Sequence, residues 1–91
     1  METTGKRLNV YAALWCPHCQ RTVEYLSRKG IPFQYIDIEK APEDVVKKVV
    51  EVNGGDDWVV PTLEYGGKWR PGKVYREDEL LRDLKDLGLM F

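Results

Sequence analysis

A chain of 91 residues with 43% apolar and 32% charged side chains has the composition of one small globular domain, read here as residues 1–91, and is too short for two. Its 14 basic and 15 acidic side chains are intermixed and leave a formal charge of -1, which argues against nucleic acid or an anionic membrane as the main partner. No apolar run is long enough to span a bilayer and Met1 to Arg7 lacks the apolar centre of an export signal, so a cytoplasmic location is expected.

In chain order, Met1 to Lys6 is polar and expected to fray. Leu8 to Leu14 is an apolar, β-branched and aromatic run that reads as the first strand. From Pro17 to about Lys29, Val23 and Leu26 recur at helical spacing among Arg21, Glu24, Arg28 and Lys29, and Gly30 supplies the stop. Trp15-Cys16-Pro17-His18-Cys19 stands at the handover from strand to helix and holds both cysteines of the chain. Two thiols at this spacing in a reducing compartment read as a reversible dithiol/disulfide pair.

The local chemistry assigns the thiols different tasks. Pro17 suits the first helical position, where its missing N–H costs no hydrogen bond. Cys16 then lies at the helix cap, facing unpaired N–H groups and the positive end of the dipole, so a lowered pKa and the attacking role are expected of it. Cys19, one turn further in, is expected to be covered and to resolve the mixed disulfide that Cys16 forms. His18 either lends positive charge to the Cys16 sulfur or is an exposed polar residue at a helix start. Half a zinc site and a pair of inert core cysteines are the alternatives. The first lacks further ligands, since His18 is the only histidine, and the second rests on the frequent burial of free cysteine.

After Ile31-Pro32, Phe33 to Ile38 alternates with Phe33, Tyr35, Ile36 and Ile38 as inward candidates, giving a second strand. A second helix begins near Pro42 with Glu43 and Asp44 in its first turn and a stripe of Val45, Val46, Val49 and Val50. Valine is a poor helix former, so packing must decide this element. Asn53 to Asp57 closes it as a loop. Thr62 to Tyr65 and Lys68 to Arg70, joined by Gly66-Gly67, read as a hairpin, and Pro71-Gly72 follows. Glu77 to Gly88 is the last helix, with Leu80, Leu81, Leu84 and Leu87 on one face. The order βαβαββα predicts an α/β domain whose first two strands are parallel with a right-handed crossover.

Together with Val59-Val60-Pro61-Thr62, this order and the Cys16-Pro17-His18-Cys19 pair resemble the glutaredoxin branch of the thioredoxin fold, over nearly the whole chain from Leu8 to Leu87. The resemblance implies a four-stranded mixed sheet flanked by three helices, with a cis-proline at Pro61 beside the active thiol. It also implies a Val60 backbone that pairs with an extended thiol substrate as an added strand would. Trp15 and Gly72 are the further candidates for substrate contact. The activity implied is a thiol-disulfide oxidoreductase acting on protein disulfides or on mixed disulfides of small thiols. In it Cys16 attacks, and Cys19 or a second thiol releases the product.

Against that pattern, the lysine common three residues before the first cysteine is Ala13, the threonine of the usual Thr-Val-Pro is Val59, and the acidic pair after Gly-Gly is replaced by Lys73 and Val74. Val52-Asn53-Gly54-Gly55 looks like the mycoredoxins, and Trp69-Arg70-Pro71 is loosely similar to redoxins that serve ribonucleotide reductase. Glutathione, another small thiol, or an enzyme of thioredoxin-reductase type are thus the candidate reductants. A monomer with no tightly bound cofactor is expected. The other class of function the resemblance admits is an iron–sulfur cluster bridged between two subunits by Cys16 thiolates and external thiols. Trp15, Trp58 and Trp69 line an apolar substrate rim or are ordinary half-buried tryptophans.

Overall fold

The structure is a computed structural model that describes residues 7–89. The polar stretch at residues 1–6, expected to fray, lies outside the described residues. The elements are β1 (Leu8–Ala12), α1 (Pro17–Arg28), β2 (Phe33–Asp37), α2 (Glu43–Val52), β3 (Thr62–Tyr65), β4 (Lys68–Arg70) and α3 (Glu77–Asp86). The strands form one sheet in the order β2-β1-β3-β4. β1 and β2 are parallel, running from Leu8 opposite Phe33 to Ala12 opposite Asp37, and α1 is their crossover. β3 lies antiparallel to β1 with Leu63 opposite Val10, and β4 antiparallel to β3.

Alternation along the strands sorts the helices onto two faces. Tyr11, Thr62 and Trp69 share one face through the pairing of Tyr11 with Thr62 and of Glu64 with Trp69. On it the Tyr11 and Trp69 rings stack at 5.4 Å, Lys48 of α2 stands over the Trp69 ring, and Asn53 after α2 reaches Thr62. On the other face Arg70 pairs with Asp83 of α3, and Arg28 of α1 reaches Glu77 of α3 at 3.6 Å. α2 therefore covers one side of the sheet, and α3 with α1 the other. The core runs between them: Leu8, Val10 and Leu63 from the strands, Tyr25 and Leu26 from α1, Val49 from α2, Leu80 and Leu84 from α3, all fully buried. Burial of these side chains, each worth about 1.5–3 kcal/mol, decides α2 against the weak helix propensity of valine.

Some expectations shift in detail. β1 ends at Ala12, two residues early, because the Ala13 carbonyl turns to accept the Cys16 N–H at 3.1 Å and leaves Leu14 and Trp15 in an exposed turn. Tyr35, expected inward, is 37% exposed, since β2 is an outer strand and its face is covered only towards β1. Ile38, past the strand end, is the residue that is buried, fixed by its N–H donating to Ala12 O at 2.8 Å. In α2 only Val49 is fully buried, with Val45 and Val46 packed against the core and Val50 half-buried. The hairpin turns on Gly66 (φ 59°) and Gly67 (φ 89°), a region that costs a side chain with a β-carbon about 1 kcal/mol or more.

Candidate active site

Cys16 is the N-cap of α1, with extended backbone angles (φ -86°, ψ 114°) and Pro17 at the first helical position. Its sulfur takes the place of the usual capping oxygen: the Cys19 N–H donates to Cys16 Sγ at 3.2 Å. The Cys16 carbonyl accepts the Gln20 N–H, and the Gln20 side chain donates to Leu14 O at 2.9 Å, so the turn is held from both ends. Cys16 is buried except for a 5% opening, and its sulfur lies 3.9 Å from Val60 O.

Cys19 is almost wholly covered at 1%. Its thiol is pushed up to about 12, chiefly by burial and next by its hydrogen bond with Cys16, while backbone N–H donation at Ala13 works in the opposite direction. The two sulfurs are free thiols: Cys16 keeps a small opening at the helix cap, and Cys19, one turn inside, is covered.

The Val60–Pro61 peptide bond is cis, and the turn containing it passes directly over the Cys16 sulfur. What holds this turn escapes a reading of the sequence. The Asn53 side-chain amide donates to Val49 O at 2.8 Å and to Thr62 Oγ1 at 2.9 Å, and its carbonyl accepts the Gly72 N–H at 2.8 Å. The buried Thr62 hydroxyl in turn donates to Val59 O. Three segments thus converge on one amide. Asn directly after a helix and Thr directly after the Val60-Pro61 pair are the signals that would have found them.

The other predicted site residues fall around this centre. His18 Nδ1 accepts the Tyr75 N–H at 3.1 Å, tying the head of α1 to the segment before α3. An acceptor nitrogen carries no proton, so this tie belongs to the neutral ring. Gly72 lies against Val59, where a β-carbon would stand 2.5 Å from Val59 Cγ1 and 2.8 Å from the Val59 carbonyl carbon. Trp15 is 61% exposed, tilted against Trp58 at 6.4 Å, and its indole N–H donates to Glu39 Oε1 at 2.9 Å. Trp69 is stacked on Tyr11 across the sheet. No group of three or more metal-ligating side chains is gathered among the described residues, and no helix there is long and apolar enough to cross a membrane.

The chain is similar to known proteins. The family model described as Glutaredoxin matches residues 8–69. A glutaredoxin of Pseudomonas aeruginosa is 44% identical over 34 residues, a match covering 37% of this chain and 40% of that relative's length. Among solved structures, the chain is similar to the glutaredoxin grx-1 of Archaeoglobus fulgidus, at 34% identity and a TM-score of 0.67 over 84% of this chain and 83% of that one. It is also similar to a Brucella melitensis glutaredoxin, at 27% identity and a TM-score of 0.59 over 90% and 80% of the two chains. The family model spans more than half of the chain and the solved glutaredoxins share its fold: the chain belongs to the glutaredoxin family.

Proposed function

We propose that the protein is a dithiol thiol-disulfide oxidoreductase that reduces protein disulfides or mixed disulfides of small thiols, using Cys16 as nucleophile and Cys19 as resolving thiol. The observation that carries this is the asymmetry of the pair. Cys16 Sγ is at the helix cap with a backbone N–H donated to it and a path to solvent, and the Cys19 proton is held by burial. A sulfur anion at Cys16 has a donor and the helix dipole to meet it.

In the reaction, the Cys16 thiolate attacks one sulfur of the substrate disulfide. A Cys16–substrate S–S bond forms, the substrate S–S bond breaks, and the departing thiolate takes the Cys19 proton. The Cys19 sulfur then attacks Cys16 Sγ, closing the Cys16–Cys19 disulfide and expelling the second substrate sulfur as thiolate. Two electrons pass from the dithiol to the substrate. Glutathione or another small thiol, or an enzyme of thioredoxin-reductase type, restores the dithiol. Pro17 fixes the cap, Trp15, Val60, Pro61 and Gly72 shape the substrate surface, and His18 holds the loop before α3 against the head of α1. A reducing cytoplasm suits a pair that must be regenerated.

The test is a pair of substitutions. Cys16→Ser is expected to abolish reduction of every disulfide substrate. Cys19→Ser is expected to stop at the mixed disulfide with a protein substrate, visible by mass spectrometry as a covalent adduct. Reduction persisting in Cys16→Ser would overturn the assignment.

A further inference from the structure

We infer that the cleft between β4 and the C-terminal half of α3 binds a small, singly charged organic carboxylate, held by the guanidinium of Arg70. The cleft has a volume of about 290 Å³. That lies near the lower end of ligand cavities, about 300–1,000 Å³, and suits a ligand of amino-acid size. β4 is the outermost strand, so this flank of the sheet is open, and none of Cys16, Cys19, Val60 or Pro61 lines the cleft.

Arg70 carries the argument. Its side chain is almost wholly buried, and Nη1 has no hydrogen-bond partner among the described residues. Nε donates to Asp83 Oδ2 at 2.9 Å, and the same oxygen accepts from Lys73 Nζ at 3.0 Å. Two cations therefore share one carboxylate oxygen, and the donors on Nη1 are unused. Such a group is rare in folded proteins, because it loses water and gains no acceptor. The edge of a guanidinium that carries its two terminal nitrogens matches the two oxygens of a carboxylate. Arg70 is part of the cleft wall, and the Lys73 side chain beside it is 38% exposed. A small turn of either side chain brings Nη1 against an acceptor in the cleft.

The rest of the lining selects the class of anion. Lys68 and Lys73 join Arg70 as cations and Asp83 and Asp86 oppose them, which leaves one positive charge in excess. This suits a single negative charge, whereas a doubly charged phosphate would stand against two carboxylates at close range. Pro71 and Leu87 supply an apolar stretch of wall for an aliphatic body. A carboxylate on a short aliphatic frame uses the unpaired donors, the excess charge and the apolar wall together.

The experiment is a titration of the full chain followed by NMR of its backbone amides and of the Arg70 guanidinium. The probes are N-acetyl-L-leucine, N-acetyl-L-leucinamide, which keeps the aliphatic body and lacks the charge, and inorganic phosphate. N-acetyl-L-leucine is expected to shift the Arg70 guanidinium and the amides of Trp69, Arg70 and Leu87 to saturation. The other two probes are expected to bind at least about tenfold more weakly, as loss of a charge-assisted hydrogen bond implies. Arg70→Lys keeps a cation beside Asp83 but removes the fork, and should weaken N-acetyl-L-leucine about tenfold. Lys73→Met changes a half-exposed position and should weaken it about threefold, which supplies the mutational test if Arg70→Lys does not fold. Absence of a saturable shift, equal binding of the amide or of phosphate, or affinity unaltered in these variants would overturn the inference. Shifts centred on Cys16 and Val60 would place the probe at the thiols and overturn it equally.

Discussion

Tyr75 donates its backbone N–H to Nδ1 of His18 at 3.1 Å, joining a residue between the two thiols to the segment that leads into α3. The Arg28–Glu77 pair, further along the same two elements, is mostly exposed and contributes about 0–1 kcal/mol. The imidazole is thus the more directional of the two ties. Replacing His18 with Ala should cost about 0.5–1.5 kcal/mol, the net worth of one hydrogen bond. Hydrogen exchange should quicken at the Tyr75 amide specifically. Unchanged protection of that amide would show that the imidazole does not hold the loop.

Gly72 offers a sharper test of how the proline turn is positioned. A β-carbon there meets Val59 Cγ1 at 2.5 Å, Val59 Cβ at 2.7 Å and the Val59 carbonyl carbon at 2.8 Å. Gly72→Ala must displace backbone next to Val60, with a cost of about 1–3 kcal/mol as for overpacked sites. Because the last of these contacts is backbone, adding Val59→Ala should restore little of the loss in thermal unfolding. Full recovery in the double variant would mean that only the valine methyl stood in the way.

Asn53 carries a comparable load by hydrogen bonding. Asn53→Ala removes the donor to Val49 and Thr62 and the acceptor of the Gly72 N–H. Loss of these part-buried bonds should destabilise the fold by about 2–3 kcal/mol, or some 10 °C or more in Tm for a domain of this size. Asn53→Asp keeps an acceptor for Gly72 but has no proton for Thr62 or Val49, so it should fall between. An Asn53→Ala protein melting within a degree or two of the parent would refute this account.

These residues also mark where a reading of the sequence stops. The thiol pair, the proline after the first thiol and the glycine hairpin were legible because each is a local pattern, in which residue types at fixed offsets dictate a cap or a turn. Helix α2 was legible from the spacing of its valines despite their propensity. Asn53 looks like an ordinary loop residue, Thr62 like a strand start and Gly72 like a residue near the substrate, and only the fold brings the three to one amide. Tyr35 shows the same boundary from the other side: alternation says that it shares a face with Phe33, but only the strand order reveals that this strand is outermost. The burial of Arg70 at the end of β4 follows from a partner on α3 that no local pattern announces.

The high value of Cys19 has a consequence for alkaline stability. A group raised in the folded state above its ordinary value of 9.0, here to about 12 and chiefly by burial, contributes stability that is whole below pH 9. That contribution is lost as pH rises towards 12, because the unfolded chain ionises first. Between about pH 9 and 12 the reduced protein should therefore lose stability more steeply than Cys19→Ala. Parallel stability curves for the two over that range would show that burial does not hold the Cys19 proton. At pH 8, iodoacetamide should label Cys16 alone in the folded state, read by peptide mapping, and label Cys19 only after denaturant is added.

At the acid end the controlling group is Asp83. Its burial alone would raise it, but hydrogen bonds from Lys73 at 3.0 Å and Arg70 at 2.9 Å, both to Oδ2, outweigh that and hold the carboxyl below its ordinary value of 3.8. A depressed carboxyl stabilises the fold above its unfolded value, and that stability disappears as pH falls through the folded value. The window is therefore below about pH 4, and nothing from this group should change between pH 5 and 8. The Arg70 side chain is only 6% exposed, its Nη1 has no hydrogen-bond partner among the described residues, and among these Asp83 is the counter-charge in direct contact with it. Asp83→Asn should cost about 2–4 kcal/mol at neutral pH, since it leaves a buried guanidinium without an anion. The same variant should have a flatter acid limb than the parent, because the group that titrates is gone. Arg70→Met with Asp83→Leu should regain much of the loss, as buried ion pairs replaced by packed apolar side chains often do. A single Asp83→Asn that matches the parent in both neutral stability and acid slope would show that the β4–α3 contact is held by packing and not by this charge pair.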